Sequence, residues 1–237
     1  MLLCNIKPIL AQLFAISLFL LLPANALANS STAYWVWAGI LPKDVPENNR
    51  LYIYQGAIKQ ESEKLYFTRK GIYPSPLKAK EVYLAFRLQG ELPDPDKIVK
   101  ITTDFVNQWQ QHDVAITGIQ LDFDSATAKL LSYSEFLKQY RSQLPKTLKL
   151  SITGLGDWVL YGNPKTLKEI SETTDEIIFQ LYQGRKPLPE IDRYVEGLAT
   201  LQVPFKVGFL SKYPYQNYID VLNKNEYFKG IVLFVQK

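Results

Sequence analysis

Two carboxylates, Asp122 and Asp124, follow an amide in the run Gly118-Ile119-Gln120-Leu121-Asp122-Phe123-Asp124. Ile119, Leu121 and Phe123 alternate with Gln120, Asp122 and Asp124, the period of a strand with one apolar and one polar face. Like charges at i and i+2 on one face repel each other, which pushes their acidities apart and suits general acid–base work. The alternative is structural: Asp124 opens a turn or caps the next helix, and Asp122 holds a salt bridge.

Composition limits what else the chain can do. It has 237 residues, 47% hydrophobic and 21% charged, enough for one globular domain with a core. The net charge of +4 is spread along the chain without a basic cluster, so nucleic acid is not an expected partner. There is one histidine, His112, and it precedes the central strand, at the end opposite the aspartates. A Ser-His-Asp triad needs an imidazole beside its nucleophile, and zinc sites draw on His or Cys ligands. A hard cation held by Asp122 and Asp124 has no loop pattern to support it. Gly154-Leu155-Gly156 lacks the third glycine of a dinucleotide fingerprint, because Val159 stands in its place. No metal and no cofactor are expected. Carboxylate chemistry among aromatics and amides remains, the equipment of sugar-processing sites.

The first 28 residues read as a secretory signal peptide. Lys7 supplies a positive charge, Ile9 to Leu22 is almost unbroken apolar sequence, and Ala26-Leu27-Ala28 is an A-x-A cleavage site. The apolar stretch is shorter than the roughly 20 residues that span a bilayer comfortably. The expected mature chain is residues 29–237, exported to the periplasm or beyond the cell, with no stable membrane span. An uncleaved N-terminal anchor is the alternative. The sole cysteine, Cys4, would leave with the leader, so neither disulfide nor thiol chemistry is expected.

Strands are expected to begin near residues 34, 51, 81, 118, 149, 177, 205 and 231. Lys64–Arg69 adds a further strand and turn. Helices are expected over Pro95–Gln111 with Asp94 as N-cap, Ser134–Leu144 capped by Ser132 or Ser134, Pro164–Ser171, Leu188–Leu201 and Tyr215–Leu222. Eight strands alternating with helices imply a (β/α)8 barrel of the TIM type, with thin helical cover in its first half and the eighth strand as its last element. An open doubly wound sheet is the runner-up. In a barrel, chemistry gathers where the strands end. That rule collects Trp37 or Val36, Gln55, Arg87, Gln89, Gln120, Asp122, Asp124, Thr153, Asp157, Trp158, Gln180, Tyr182, Tyr213 and Phe234.

The central run resembles the fourth-strand signature of chitinase-like family 18 glycoside hydrolases, D-G-x-D-x-D-x-E. Gly118 matches its glycine and Asp122 its last aspartate, which in that family orients the substrate's acetamido group. Asp124 stands in the place of the general-acid glutamate, and Thr117 and Gln120 replace the first two aspartates. Phe179-Gln180-Leu181-Tyr182-Gln183 is similar to the sixth-strand M-x-Y-D, and Phe234 stands where that family has a floor tryptophan. A broader likeness comes from Tyr34–Trp37, Leu84–Leu88, the Q-x-D-x-D run and Leu150-Ser151-Ile152-Thr153-Gly154-Leu155. Together these resemble domain-of-unknown-function family 3142, exported bacterial proteins. The resemblance implies a glycosidase-like barrel and extracytoplasmic placement, and brings no activity.

On the enzyme reading, Asp124 is the general acid with a raised pKa and Asp122 is its partner. Gln120, Gln180, Tyr182, Thr153, Asp157 and Arg87 bind a polysaccharide or oligosaccharide, and Trp37, Trp158 and Phe234 stack on sugar faces. Arg87, from the adjacent strand, is also placed to pair with the aspartates and lower both carboxyls. Two further readings stay open: a non-catalytic saccharide-binding protein, and a cell-envelope interaction protein whose protein partner is unknown.

Overall fold

The computed structural model describes residues 32–37 and 45–235. The expected leader, 1–28, and Cys4 lie outside the described residues. The elements in order are β1 (Thr32–Val36), β2 (Arg50–Glu61), β3 (Lys64–Arg69), β4 (Glu81–Gly90), α1 (Pro95–Gln110), β5 (Gly118–Asp122), α2 (Leu130–Gln143) and β6 (Lys149–Leu155). They continue with α3 (Gly156–Tyr161), α4 (Pro164–Thr173), β7 (Glu176–Gln180), β8 (Tyr182–Gln183), β9 (Lys186–Pro187), α5 (Ile191–Ala199), β10 (Phe205–Leu210), α6 (Gln216–Leu222) and β11 (Phe228–Phe234).

Eight of these strands run parallel in the order β1-β11-β10-β7-β6-β5-β4-β2, and β1 also pairs with β2. That last pairing closes the sheet, so the fold is a (β/α)8 barrel and the open-sheet alternative falls. All eight strands stand where their sequence pattern places them. The first half carries little helix, as expected: among the described residues none lies between β1 and β4. The cover there is β3, antiparallel to β2, whose Phe67 packs edge-on against Phe105 of α1 with ring centres 5.0 Å apart.

The helix starts show which local signals prevail. Asp94 caps α1 by accepting from the Asp96 N–H at 3.0 Å, with Pro95 at the first helical position. Neither Ser132 nor Ser134 caps α2. That helix begins earlier, at Leu130, after a short 3-10 turn over Thr127–Lys129, and no side chain caps it. Its buried stripe of Leu130, Tyr133, Leu137 and Tyr140 extends the helical period upstream of both serines, and Ser134 is buried inside it. Packing of that stripe outweighs the capping preference. The Leu188–Leu201 helix is shorter than expected, Ile191–Ala199, and α3 has no counterpart among the expected helices.

Inside the barrel the side chains form levels. The middle one holds Trp35, Tyr52, Tyr83, Ile178 and Val232. The Trp35 ring occupies space that Gly208 leaves open, since a Cβ there would lie 2.3 Å from the ring. Outward-facing Ile119, Leu121, Leu150 and Ile152 pack beneath the helices. At the N-terminal end of the barrel, Lys206 bonds Glu176 at 2.6 Å while Arg50 reaches the same carboxylate oxygen at 3.1 Å. Tyr52 donates to the other oxygen of Glu176. His112 lies at this same end, exposed in the turn after α1.

Candidate functional site: the C-terminal mouth of the barrel

The strands end around a cavity of about 590 Å³ lined by Trp37, Arg87, Asp122, Asp124, Asp157, Gln180, Tyr182 and Phe234, among others. β5 carries Asp122 to the floor. It is the last residue of the strand, points inward level with Arg87 of β4, and is only 4% exposed. Thr153, the inward residue near the end of β6, donates to Asp122 Oδ1 at 2.7 Å. Asp124 sits two residues beyond the strand, half exposed, and receives a 2.6 Å ion pair from Arg87 Nη2. The Arg87 Nε is 4.0 Å from Asp122 Oδ2, so one guanidinium faces both carboxylates.

Burial lifts the Asp122 carboxyl above its ordinary acidity range. The Thr153 hydrogen bond and the Arg87 charge oppose the lift, the Asp124 charge adds to it and Gln180 opposes it again; burial prevails. The burial that an acid catalyst needs is therefore found at Asp122. Asp124 is held in the half-exposed pair with Arg87. The Tyr182 phenol, above the same floor, is raised well beyond its usual value by burial and then by the two aspartates.

The walls are aromatic. Trp37 stacks on Tyr54 with planes 4° apart and centres 4.5 Å apart, and Phe234 leans on Trp37 at 6.0 Å and on Tyr182 at 5.3 Å. Asp157 reaches the cavity from the first turn of α3 and accepts from the Tyr194 hydroxyl at 3.1 Å.

Several candidates stand elsewhere. Gln120 is fully buried one level below the floor, accepting from Trp35 Nε1 at 2.6 Å and donating to Ser151 Oγ at 2.9 Å. Its polar groups are spent on the barrel interior and do not reach the cavity. Trp158 is also fully buried. Because α3 starts at Gly156, Trp158 turns away from Asp157 and packs outside the wall against Tyr133 and Phe179, donating to the Ser125 carbonyl. Thr153 holds Asp122 and does not line the cavity. Gln55 is the extra residue of a β-bulge, where the β2–β4 register shifts between Tyr54 and Gly56, and it accepts from Trp109 of α1. Tyr213 packs on Tyr218 of α6 and is not part of the mouth.

Residues that sequence reasoning missed are Tyr194 and the lip built from Gln183, Gly184, Leu188 and Pro189 in the lining, and Tyr54 as the ring on which Trp37 stacks. Tyr54 had a signal, since it alternates with Tyr52 on one face. Tyr194 sits within a helix and had none. The lip is the β8–β9 hairpin, which turns through Gly184 at a φ of +60° and returns through Glu190 at +52°. Among the described residues no cluster of three or more His, Cys, Asp or Glu is arranged to hold a metal ion.

No curated protein matches the chain. Among solved structures it is similar to a xylanase-alpha-amylase inhibitor protein in complex with trehalose, at 14% identity and TM-score 0.56 over 87% of this chain and 93% of that one. Another form of that inhibitor aligns over the same shares at 14% identity and TM-score 0.52. The chitinase domain of the spore coat protein CotE from Clostridium difficile aligns at 14% identity and TM-score 0.49, over 79% of this chain and 67% of that one. The first two show a shared barrel fold. Residues 78–193, from just before β4 into α5 and including Arg87 and all three mouth aspartates, match the model of the family described as Domain of unknown function (DUF3142).

Proposed function

We propose that the chain is an exported carbohydrate-active protein that takes a saccharide into the barrel mouth. Its leader is removed, and it acts in the periplasm or outside the cell. The reading is carried by one observation: a 590 Å³ cavity with Trp37, Tyr182 and Phe234 on its walls and a buried carboxyl, Asp122, on its floor. Aromatic faces suit the apolar faces of sugar rings, and a few fixed polar groups orient the hydroxyls. Asp122 is the group able to keep a proton at a pH where an ordinary aspartate has lost it, and so to give it to a leaving oxygen.

A second reading has its own observation. Asp124, the natural partner carboxylate, is occupied by Arg87 at 2.6 Å. With that pair closed, the mouth binds sugar and performs no hydrolysis. The inhibitor that shares the fold, and whose structure contains trehalose, supports a sugar-associated barrel without a hydrolase name.

Titration with a panel of envelope and storage oligosaccharides, with reducing-end release measured in parallel, tests both. The primary reading expects binding by the wild type, turnover lost in Asp122→Asn with binding kept, and binding weakened at least about tenfold in Trp37→Ala. Binding without any turnover selects the second reading. A panel with no binder at all removes both. Recovery of the chain in the cytoplasm of its host would remove the exported placement.

A further inference from the structure

A second cavity, of about 340 Å³, lies beside the mouth and shares two of its residues, Arg87 and Asp124. The Arg87–Asp124 ion pair is thus a low partition between two adjoining spaces and not the back wall of one. Beyond it the surface is set by Gln89 at the end of β4, by Ser125 after β5, and by Lys129 just ahead of α2, over apolar Leu88 and Phe123.

Charge changes sign across the partition. The mouth sets Asp122, Asp124 and Asp157 against Arg87 alone. The second cavity sets Arg87 and Lys129 against Asp124 alone, and that carboxylate is already engaged by Arg87 Nη2. No ion pair among the described residues uses Lys129, which is exposed. A guanidinium carries five N–H donors in a planar fork, so bonding Asp124 through one nitrogen leaves others for a second acceptor. A neutral sugar there would leave Lys129 to water. A carboxylate would gain from both cations.

We propose that this second cavity is a subsite for a negatively charged sugar unit, so that the ligand is an acidic oligosaccharide lying across the Arg87–Asp124 pair. This rests on the saccharide reading of the mouth and adds length and charge to it. The uncharged part of the ligand sits among the mouth aromatics, and the charged unit sits over Arg87 and Lys129.

The test uses tetramers of hyaluronan, of unsulfated chondroitin and of heparosan, in which charged and uncharged units alternate, each beside its carboxyl-reduced counterpart. They are titrated into wild type, Lys129→Ala and Lys129→Glu, and thermal melts confirm that the exposed substitutions leave the fold intact. At least one acidic tetramer should bind more tightly than its reduced form. Lys129→Ala should weaken that acidic tetramer about fivefold, Lys129→Glu should weaken it further, and the reduced form's affinity should not move. Reduced tetramers that bind as tightly as acidic ones, or acidic affinity indifferent to Lys129→Glu, would overturn the subsite while leaving the mouth a saccharide site. If neither form of any tetramer binds, the subsite falls, and the mouth reading is then decided by the wider oligosaccharide panel.

Discussion

Asp122, buried, and Glu176, with its side chain 10% exposed, both face the interior of one barrel, at opposite ends, and their surroundings drive them in opposite directions. Glu176 is met by Lys206 at 2.6 Å, Arg50 at 3.1 Å and the Tyr52 hydroxyl, and these hold its carboxyl below the ordinary range despite burial. Asp122 has Thr153 and Gln180 as uncharged partners, a guanidinium no nearer than 4.0 Å and a second aspartate close by, so burial raises it. The first arrangement satisfies a charge. The second leaves burial of the carboxyl only partly offset, at a cost to stability. In barrels the C-terminal end carries chemistry and the N-terminal end carries stability, and the proposed function divides the two carboxylates in the same way.

The largest effect should come from breaking the stable end. Glu176→Ala leaves Lys206, 5% exposed, without its partner, and should cost about 3–5 kcal/mol in urea unfolding at neutral pH. At the mouth, Asp122→Asn keeps an acceptor for Thr153 and removes a buried charge. It should be at least as stable as wild type under the same conditions.

The acid limb sharpens the contrast. Because folding lowers the Glu176 carboxyl, its contribution is in place above the unfolded glutamate value of about 4.3 and is lost as pH falls through the folded value. Folding raises Asp122, so its contribution is in place below the unfolded aspartate value of about 3.9 and is lost as pH rises through the folded value. Melting curves across pH should therefore show Glu176→Gln losing part of the acid-induced fall in stability. Asp122→Asn should gain on wild type as pH rises.

A smaller effect concerns the supports of Asp122. Thr153→Val removes its 2.7 Å donor and should cost about 0.5–1.5 kcal/mol while pushing the Asp122 carboxyl further up. Arg87→Met should raise it as well, since the guanidinium charge now opposes the lift.

The barrel was legible because alternation and length identify strands without reference to packing, and the eight patterned runs from Tyr34 to Phe234 needed only closure to become one. The site was legible as far as strand alternation reaches. It places Asp122, Arg87 and Phe234 at strand ends, but it does not distinguish the floor of the mouth from the level below, which is where Gln120 lies. Nor does it assign burial beyond the strand. Asp122 and Asp124 look equivalent in sequence, and they differ because β5 ends between them. Asp157 and Trp158 part company because an unforeseen helix, Gly156–Tyr161, begins just before them, and a six-residue run is too short for helical period to register. The hairpin lip, with Glu190 in a left-handed conformation, depends on contacts made only after the barrel closes.

Side-chain carboxyl resonances of isotopically labelled wild-type protein, followed by NMR across the acid range and assigned with Asp122→Asn and Glu176→Gln, measure the two groups together. The predicted result is an Asp122 midpoint above the ordinary aspartate value and a Glu176 midpoint below the ordinary glutamate value. An Asp122 midpoint at or below that ordinary value would contradict its place as the proton-holding group of the mouth.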